Sequence, residues 1–167
     1  MKILSTEDVI NRELIEKQSL SLIPTMGNLH NGHLSLIKEA KKYGLKTIVT
    51  IFVNPLQFGP NEDFSSYPRT IKSDIEKLDN INCDYVFIPQ DGFAENLKII
   101  KAPSISLELC GKNRPGHFDG VLTIINEIFS LILPSKAFFG LKDYQQFILI
   151  KDFAKIQFPD IEILGLP

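Results

Sequence analysis

An α/β fold, built as a doubly wound parallel sheet, follows from three features of the chain. Short apolar runs alternate with amphipathic segments along nearly the whole length, the pattern of strand–helix–strand units with right-handed crossovers. One run, KTIVTIFV (46–53), is β-branched and continuous, as in a parallel strand covered on both faces. The segments TMGNLHNGH, NPLQFGPNED and GLKD each follow an expected strand. In such sheets ligands bind beyond the carboxyl ends of the strands, so the three segments are expected to form one composite site.

The elements follow in order. STEDVINRELIEKQ (5–18) predicts a helix with Ser5 as N-cap and acidic residues in the first turn. LSLIP (20–24) is a short buried strand, and GHLSLIKEAKKYG (32–44) spaces Leu34, Ile37 and Lys41 helically before stopping at Gly44. After the strand at 46–53, the polar segment NPLQFGPNEDFSSYP carries three prolines and one glycine and is expected to be irregular. RTIKSDIEKLD (69–79) reads as a helix with Ile71, Ile75 and Leu78 on one face, and DYVFIP (84–89) as a strand. KIIKAPSISLEL (98–109) has an extended character that Pro103 weakens. VLTIINEIFSLIL (121–133) is an apolar helix, KAFFG (136–140) a strand, DYQQFILIKDFAKIQF (143–158) a helix and IEILGLP (161–167) a last strand.

The chain has 167 residues, 44% hydrophobic and 23% charged, with a formal net charge of −2. Those values suit one soluble domain over 1–167 with a core of its own, needing no disulfide or metal. Neither a basic balance nor a basic stripe is present, so nucleic acid is not an expected partner. The two cysteines, Cys83 and Cys110, lie far apart and lack the paired spacing of a zinc site. The amino terminus becomes charged too early for a signal peptide, and no apolar run is long enough to span a bilayer. A cytoplasmic protein without membrane contact is expected.

Function is concentrated in three histidines and their neighbours. His30 and His33 flank Gly32 at the start of a helix, where unpaired N–H groups and the helix dipole attract anions. Two imidazoles there can donate hydrogen bonds to phosphate oxygens and stabilise charge that develops as phosphate is displaced, each well-placed donor worth on the order of 10²–10³ in rate. A single histidine would more simply be a solvated loop residue; the pair at a strand-to-helix turn is harder to explain that way. A zinc site of His30, His33 and His117 is the sharper rival, but no carboxylate or other water-activating partner stands beside it. Lys142 and Asp143 after Gly140 can neutralise phosphate and accept from ribose hydroxyls. Gln57 and Gln146 are neutral amides suited to hydroxyl or carboxylate groups. Arg114 and His117, in NRPGHFDG, form a cationic pair on a glycine-containing loop that suits an anionic small molecule. No Walker-type or G-x-G-x-x-G phosphate loop is present.

Together PTMGNLHNGHLSLI, IFVNPLQFGPNEDFSSYPRT, CGKNRPGHFDGV and FFGLKDYQQ resemble the pantothenate synthetase (pantoate–β-alanine ligase) family in order and context. That family belongs to the H-x-G-H nucleotidyl-transferring superfamily, and the likeness runs from about Leu20 to Pro167. The resemblance, carried by four separate motifs, implies a Rossmann-like ATP- and pantoate-binding domain. It implies two steps. Pantoate and ATP, with Mg²⁺ carried on the phosphates, give pantoyl adenylate and pyrophosphate; β-alanine then displaces AMP. Met26, Gly27, Asn28, Leu29, His30, Asn31, Gly32 and His33 would line the ATP site, with His33 as proton donor and His30 assisting at the phosphates. Gly140, Leu141, Lys142 and Asp143 would form a second ATP segment, with Lys142 on phosphate and Asp143 on ribose. Gln57 and Gln146 would hold pantoate with Asn54 nearby, and Tyr67, Arg114 and His117 would lie toward the β-alanine or carboxylate end. A homodimer is implied as well.

Two departures from the family pattern stand out. Leu141 replaces a residue that is usually polar. The family continues past EILGLP into a Met-Ser-Ser-Arg-like phosphate motif and a C-terminal lid, so this chain is expected to have little adenylating activity alone. A non-catalytic nucleotide- or partner-binding module is the alternative from another class. Another adenylyl- or cytidylyltransferase is disfavoured by NPLQFGPNED and RPGHFDG, which those chemistries do not need.

Overall fold

The computed structural model describes residues 1–10, 19–59 and 62–167. Six strands form one sheet, all parallel: β1 (Lys2–Leu4), β2 (Leu20–Thr25), β3 (Lys46–Ile51), β4 (Tyr85–Phe87), β5 (Lys136–Gly140) and β6 (Glu162–Leu166), in the order β1-β4-β3-β2-β5-β6. The helices are α1 (Thr6–Ile10), α2 (Asn31–Lys41), α3 (Ile71–Asn80), α4 (His117–Ile132) and α5 (Tyr144–Gln157).

Successive strand residues face opposite ways, and each face carries its own core. Leu22, Ile48, Phe87 and Phe139 pack with Val9, the apolar stripe of α4, and Leu149, Ile150 and Ala154 of α5. Their chain neighbours Ile23, Val49, Val86 and Phe138 pack with Leu36, Ile37 and Ala40 of α2 and Leu78 of α3. This two-sided burial makes the strands read as unbroken apolar runs, and it bears out the doubly wound α/β expectation.

From β2 the chain winds outward through β3 to β4, then returns along α4 to place β5 on the other side of β2. The strand order therefore reverses between β2 and β5, the position where open α/β sheets bind ligands. The TMGNLH turn leaves β2 and the GLKD turn leaves β5 at that crevice.

Several elements differ from the sequence expectation. Lys2–Leu4 forms an edge strand on β4, too short to register as periodicity. The helix expected over 5–18 is present as α1, and its portion over 11–18 lies outside the described residues. Ser5 caps α1 as expected: its hydroxyl oxygen accepts from the Asp8 N–H at 3.2 Å, while the Asp8 carboxylate accepts from the Ser5 N–H at 2.7 Å. α4 begins at His117, four residues before the expected start at Val121, so His117 sits in the first turn of a helix rather than on a loop. The 98–109 segment forms no strand; Ser104–Leu107 and Leu109–Asn113 are 3-10 turns. On α3 the buried residues are Asp74 and Leu78, whereas Ile71 is exposed. No described helix is long and apolar enough to cross a membrane.

Candidate active site

A cavity of about 460 Å³ opens at the carboxyl ends of β2, β3 and β5. Met26, His30, Gly32 and His33 line it from the first turn; Asn54, Gln57 and Tyr67 from the segment after β3; and Gly140, Lys142, Asp143 and Gln146 from the turn after β5 and the start of α5. Val121, Ile124, Ile125 and Ile128 of α4 make an apolar wall. A polar rim over an apolar wall is the usual build of a small-molecule site.

The histidine pair forms a reciprocal cap on α2. His30 is the N-cap, and its Nδ1 accepts from the Gly32 N–H at 3.1 Å. The His30 N–H in turn points at His33 Nδ1, 3.4 Å away. With Nδ1 accepting in both rings, each neutral imidazole carries its hydrogen on Nε2. The rings lie 4.2 Å apart between centroids. Both side chains therefore offer a donor while satisfying the helix end, the arrangement phosphate oxygens require. Gly32 makes room for it, because a Cβ there would sit 2.9 Å from the His30 ring. Burial pushes the His33 pKa down, with smaller lowering from His30 and Lys142, while the Asp74 carboxylate opposes the shift.

The turn into α2 is held from beneath. Gly27 and Asn28 have left-handed φ values of 81° and 50°, a conformation glycine adopts without penalty and asparagine tolerates. The Gly27 N–H donates to Thr25 Oγ1 at 3.1 Å, and the Thr25 hydroxyl donates to the Thr50 carbonyl at 2.7 Å. The fully buried Asp74 receives the N–H groups of Asn28 and Leu29. Leu29 is buried in the core below, so it shapes the turn without lining the cavity.

On the far wall Gln57 sits on a 3-10 turn, Pro55–Gln57, capped by buried Asn54. Asn54 Nδ2 donates to Gln57 Oε1 and to the Gly120 carbonyl, each at 3.1 Å, and its Oδ1 accepts from the Leu56 N–H at 3.2 Å. Gln57 Nε2 lies 3.1 Å from Met26 Sδ, linking the two loops across the cavity floor. Tyr67 contributes its ring at the rim, and burial raises its pKa, with a further push from Asp74.

Arg114 and His117 do not line the cavity. Arg114 forms a two-pronged pair with Glu62, at 2.6 and 2.9 Å, which holds the Glu62 pKa down to about 2. Its Nη1 lies 3.1 Å from His117 Nε2, and His117 Nδ1 lies 2.8 Å from the Gln57 carbonyl oxygen. Arginine can only donate, so His117 accepts at Nε2 and donates from Nδ1 to Gln57. His117 is buried, which lowers its pKa. The pair read from sequence as an anion site thus links Glu62, α4 and the Gln57 turn. No group of His, Cys, Asp and Glu able to hold a metal occurs among the described residues, and His117 is engaged away from the other two histidines.

Across β5, Leu141, Lys142 and Asp143 form a 3-10 turn and α5 begins only at Tyr144. Lys142 and Asp143 are exposed at the cavity mouth, and Asp143 makes no capping hydrogen bond. Leu141 packs over Gly165, where a Cβ would come within 2.5 Å of its side chain, and it joins the core instead of the cavity wall. Asn28 and Asn31 are exposed beside the turn but outside the lining. Sequence reasoning missed Asp74, Thr25, Thr50 and Glu62. For Asp74, Thr25 and Thr50 the only signal was a polar residue where strand or helix periodicity asks for an apolar one; Glu62, in an irregular segment, carried none.

Known proteins share this architecture. A family model described as Pantoate-beta-alanine ligase matches residues 2–167, so the likeness reaches almost to the first residue. A pantothenate synthetase of Desulfitobacterium hafniense is 43% identical over 170 residues, covering 99% of this chain and 60% of its own length. One from Chromohalobacter salexigens is 48% identical over 158 residues, covering 91% and 56%. The crystal structure of a pantothenate synthetase from Thermus thermophilus superimposes with a TM-score of 0.94 at 33% identity, over 100% of this chain and 62% of that one. A pantoate–β-alanine ligase from Francisella tularensis, solved with β-γ ATP and β-alanine, gives 0.92 at 39% identity, over 100% and 67%. The chain therefore spans about 60% of the length of the curated relatives it matches. From the four motifs, the doubly wound sheet and these matches, the chain belongs to the pantoate–β-alanine ligase family.

Proposed function

We propose that this chain supplies the ATP- and pantoate-binding site for AMP-forming ligation of pantoate and β-alanine. The observation that carries the reading is the reciprocal His30–His33 cap, which leaves two Nε2–H donors on a helix N-terminus at the cavity. Phosphate oxygens of ATP accept from those donors, and Lys142 adds a point charge from the opposite side. Asp143 accepts from the ribose. The amides of Gln57 and Gln146 hold pantoate with its carboxylate toward the α-phosphorus, Tyr67 closes the rim, and the α4 wall takes the pantoate methyl groups.

The carboxylate oxygen attacks the α-phosphorus and the bond to the bridging oxygen breaks, releasing pyrophosphate and leaving pantoyl adenylate. Positioning and donors aimed at the developing charge carry this step, and a proton on His33 Nε2 is suited to the departing oxygen. The β-alanine amine then attacks the acyl carbon and AMP leaves. Mg²⁺ would be carried on the ATP phosphates and neutralise their charge there, with Lys142 as the chain's own cation at the cavity mouth. The protein acts in the cytoplasm as a homodimer, with no nucleic acid or membrane partner. Arg114 and His117 serve the carboxylate end indirectly, through the Gln57 turn.

Calorimetric titration tests the assignment of ligands. MgATP and pantoate should each bind the chain, Gln57→Ala should weaken pantoate selectively, and His33→Ala should weaken ATP selectively. A folded chain that binds MgATP but not pantoate would favour a nucleotide-binding module without ligase function.

A further inference from the structure

We infer that Asp74 is a positioning residue of the ATP site, which together with Lys77 fixes the backbone turn that delivers His30 and His33 to the cavity. The inference rests on the phosphate-binding role proposed above for the two histidines.

Asp74 is completely buried on α3, 45 positions beyond the turn it holds. Its Oδ1 accepts from the Leu29 N–H at 2.8 Å, and its Oδ2 from the Asn28 N–H at 2.9 Å and the Thr70 hydroxyl at 3.0 Å. One helical turn on, Lys77 Nζ donates to the Leu29 carbonyl at 2.7 Å and lies 4.0 Å from the Asp74 carboxylate. The N–H and C=O of Leu29 are thus both held from α3, and the next residue is His30, the N-cap of α2.

The left-handed pair Gly27–Asn28 turns two successive N–H groups toward one point. Such a concavity suits an anion, and here the anion belongs to the protein. A buried carboxylate is costly unless its lone pairs are filled. For packing alone, an apolar residue beside Leu78 would serve. The carboxylate is explained by its donors, and every one of them except Thr70 lies in the turn. Asparagine could not replace it, because its amide hydrogens would face an N–H. Since a displacement of about 1 Å can cost on the order of 10² in rate, control of this turn is control of the histidines.

Asp74→Asn and Lys77→Met in the full chain test the inference. Calorimetry should show MgATP affinity reduced at least about tenfold in Asp74→Asn and less in Lys77→Met, with pantoate affinity, measured alone, unchanged. In ¹H–¹⁵N spectra the ring resonances of His30 and His33 should move while those of His117 stay. Equal loss of both ligands with all three histidines shifted would reduce Asp74 to a general structural role and overturn the inference, as would unchanged ATP affinity and resonances. If the wild-type chain binds neither ligand, the functional reading fails, yet the resonance pattern still decides whether Asp74 places the histidines. Should Asp74→Asn not fold, Lys77→Met and Thr70→Val carry the same readouts.

Discussion

His117 Nδ1 lies 2.8 Å from the backbone carbonyl oxygen of Gln57, sixty positions earlier in the chain. The bond ties the first turn of α4 to the 3-10 turn carrying Gln57, the amide proposed above to hold pantoate. His117→Ala should therefore lower stability by about 1–3 kcal/mol, the cost of leaving the part-buried Gln57 carbonyl and the Arg114 guanidinium without this partner. It should also weaken pantoate binding more than ATP binding. Urea unfolding and calorimetry on the same variant check both. Equal effects on the two ligands would argue that the link is not specific to the Gln57 turn.

Gly120 tests that contact from the other side. A Cβ there would fall 2.1 Å from the Leu56 carbonyl oxygen, a backbone atom that cannot swing aside. Gly120→Ala should destabilise by about 1–3 kcal/mol through overpacking, despite alanine's better helix propensity. Thermal unfolding that shows no loss would mean that the turn yields more readily than its packing implies.

Lys142 is exposed at the cavity mouth, so its removal should cost little stability. Lys142→Met should weaken MgATP by roughly ten- to a hundredfold, as expected for lost charge-assisted bonds of about 1.5–3 kcal/mol. The effect should shrink as salt is raised. Titrations at two ionic strengths check it, and a variant with wild-type ATP affinity would remove Lys142 from the phosphate site.

Stability should fall with pH in two stages. Burial depresses the His33 and His117 pKa values, so the unfolded chain binds more protons below its own histidine pKa of about 6.5. The stability linked to keeping these rings neutral is complete above that pH and is lost as pH falls toward the folded values. Glu62 is held down to about 2 by Arg114. Its contribution is present above the unfolded glutamate pKa and fades as pH drops from there toward about 2. Denaturation midpoints measured from pH 8 to pH 3 check the order. Glu62→Gln should shrink the lower stage, and should touch the upper one only through His117, whose pKa the Glu62 charge raises against the lowering by burial.

Much of the fold was legible because doubly wound sheets bury their strands on both faces. KTIVTIFV and KAFFG announce themselves as apolar runs, and the segments that follow them meet at one crevice. The histidine pair was legible for a local reason: two such residues around Gly32 at a helix start have few uses in a core. What escaped is tertiary. Asp74 occupies the buried face of α3, where periodicity favoured Ile71, and an acidic residue in a first turn already had a local explanation in the helix dipole. His117 was read as a loop residue because Gly116 and Gly120 interrupt the helical pattern. Gly120 is small because Leu56 crosses over it, a contact no local window contains. Arg114 likewise read as an anion binder because its partner Glu62 lies fifty-two positions away.

His30 and His33 are proposed to hold the phosphates of ATP, and histidine NMR titration with and without MgATP reads that contact at the two rings. Saturating MgATP should shift the ring resonances of both residues and raise the pKa of at least one, as a neighbouring polyanion favours protonation. His117, locked between Arg114 and Gln57, should hold its position. If MgATP binds but leaves His30 and His33 unmoved, the nucleotide does not lie where the paired histidines are, and the account of this site is wrong.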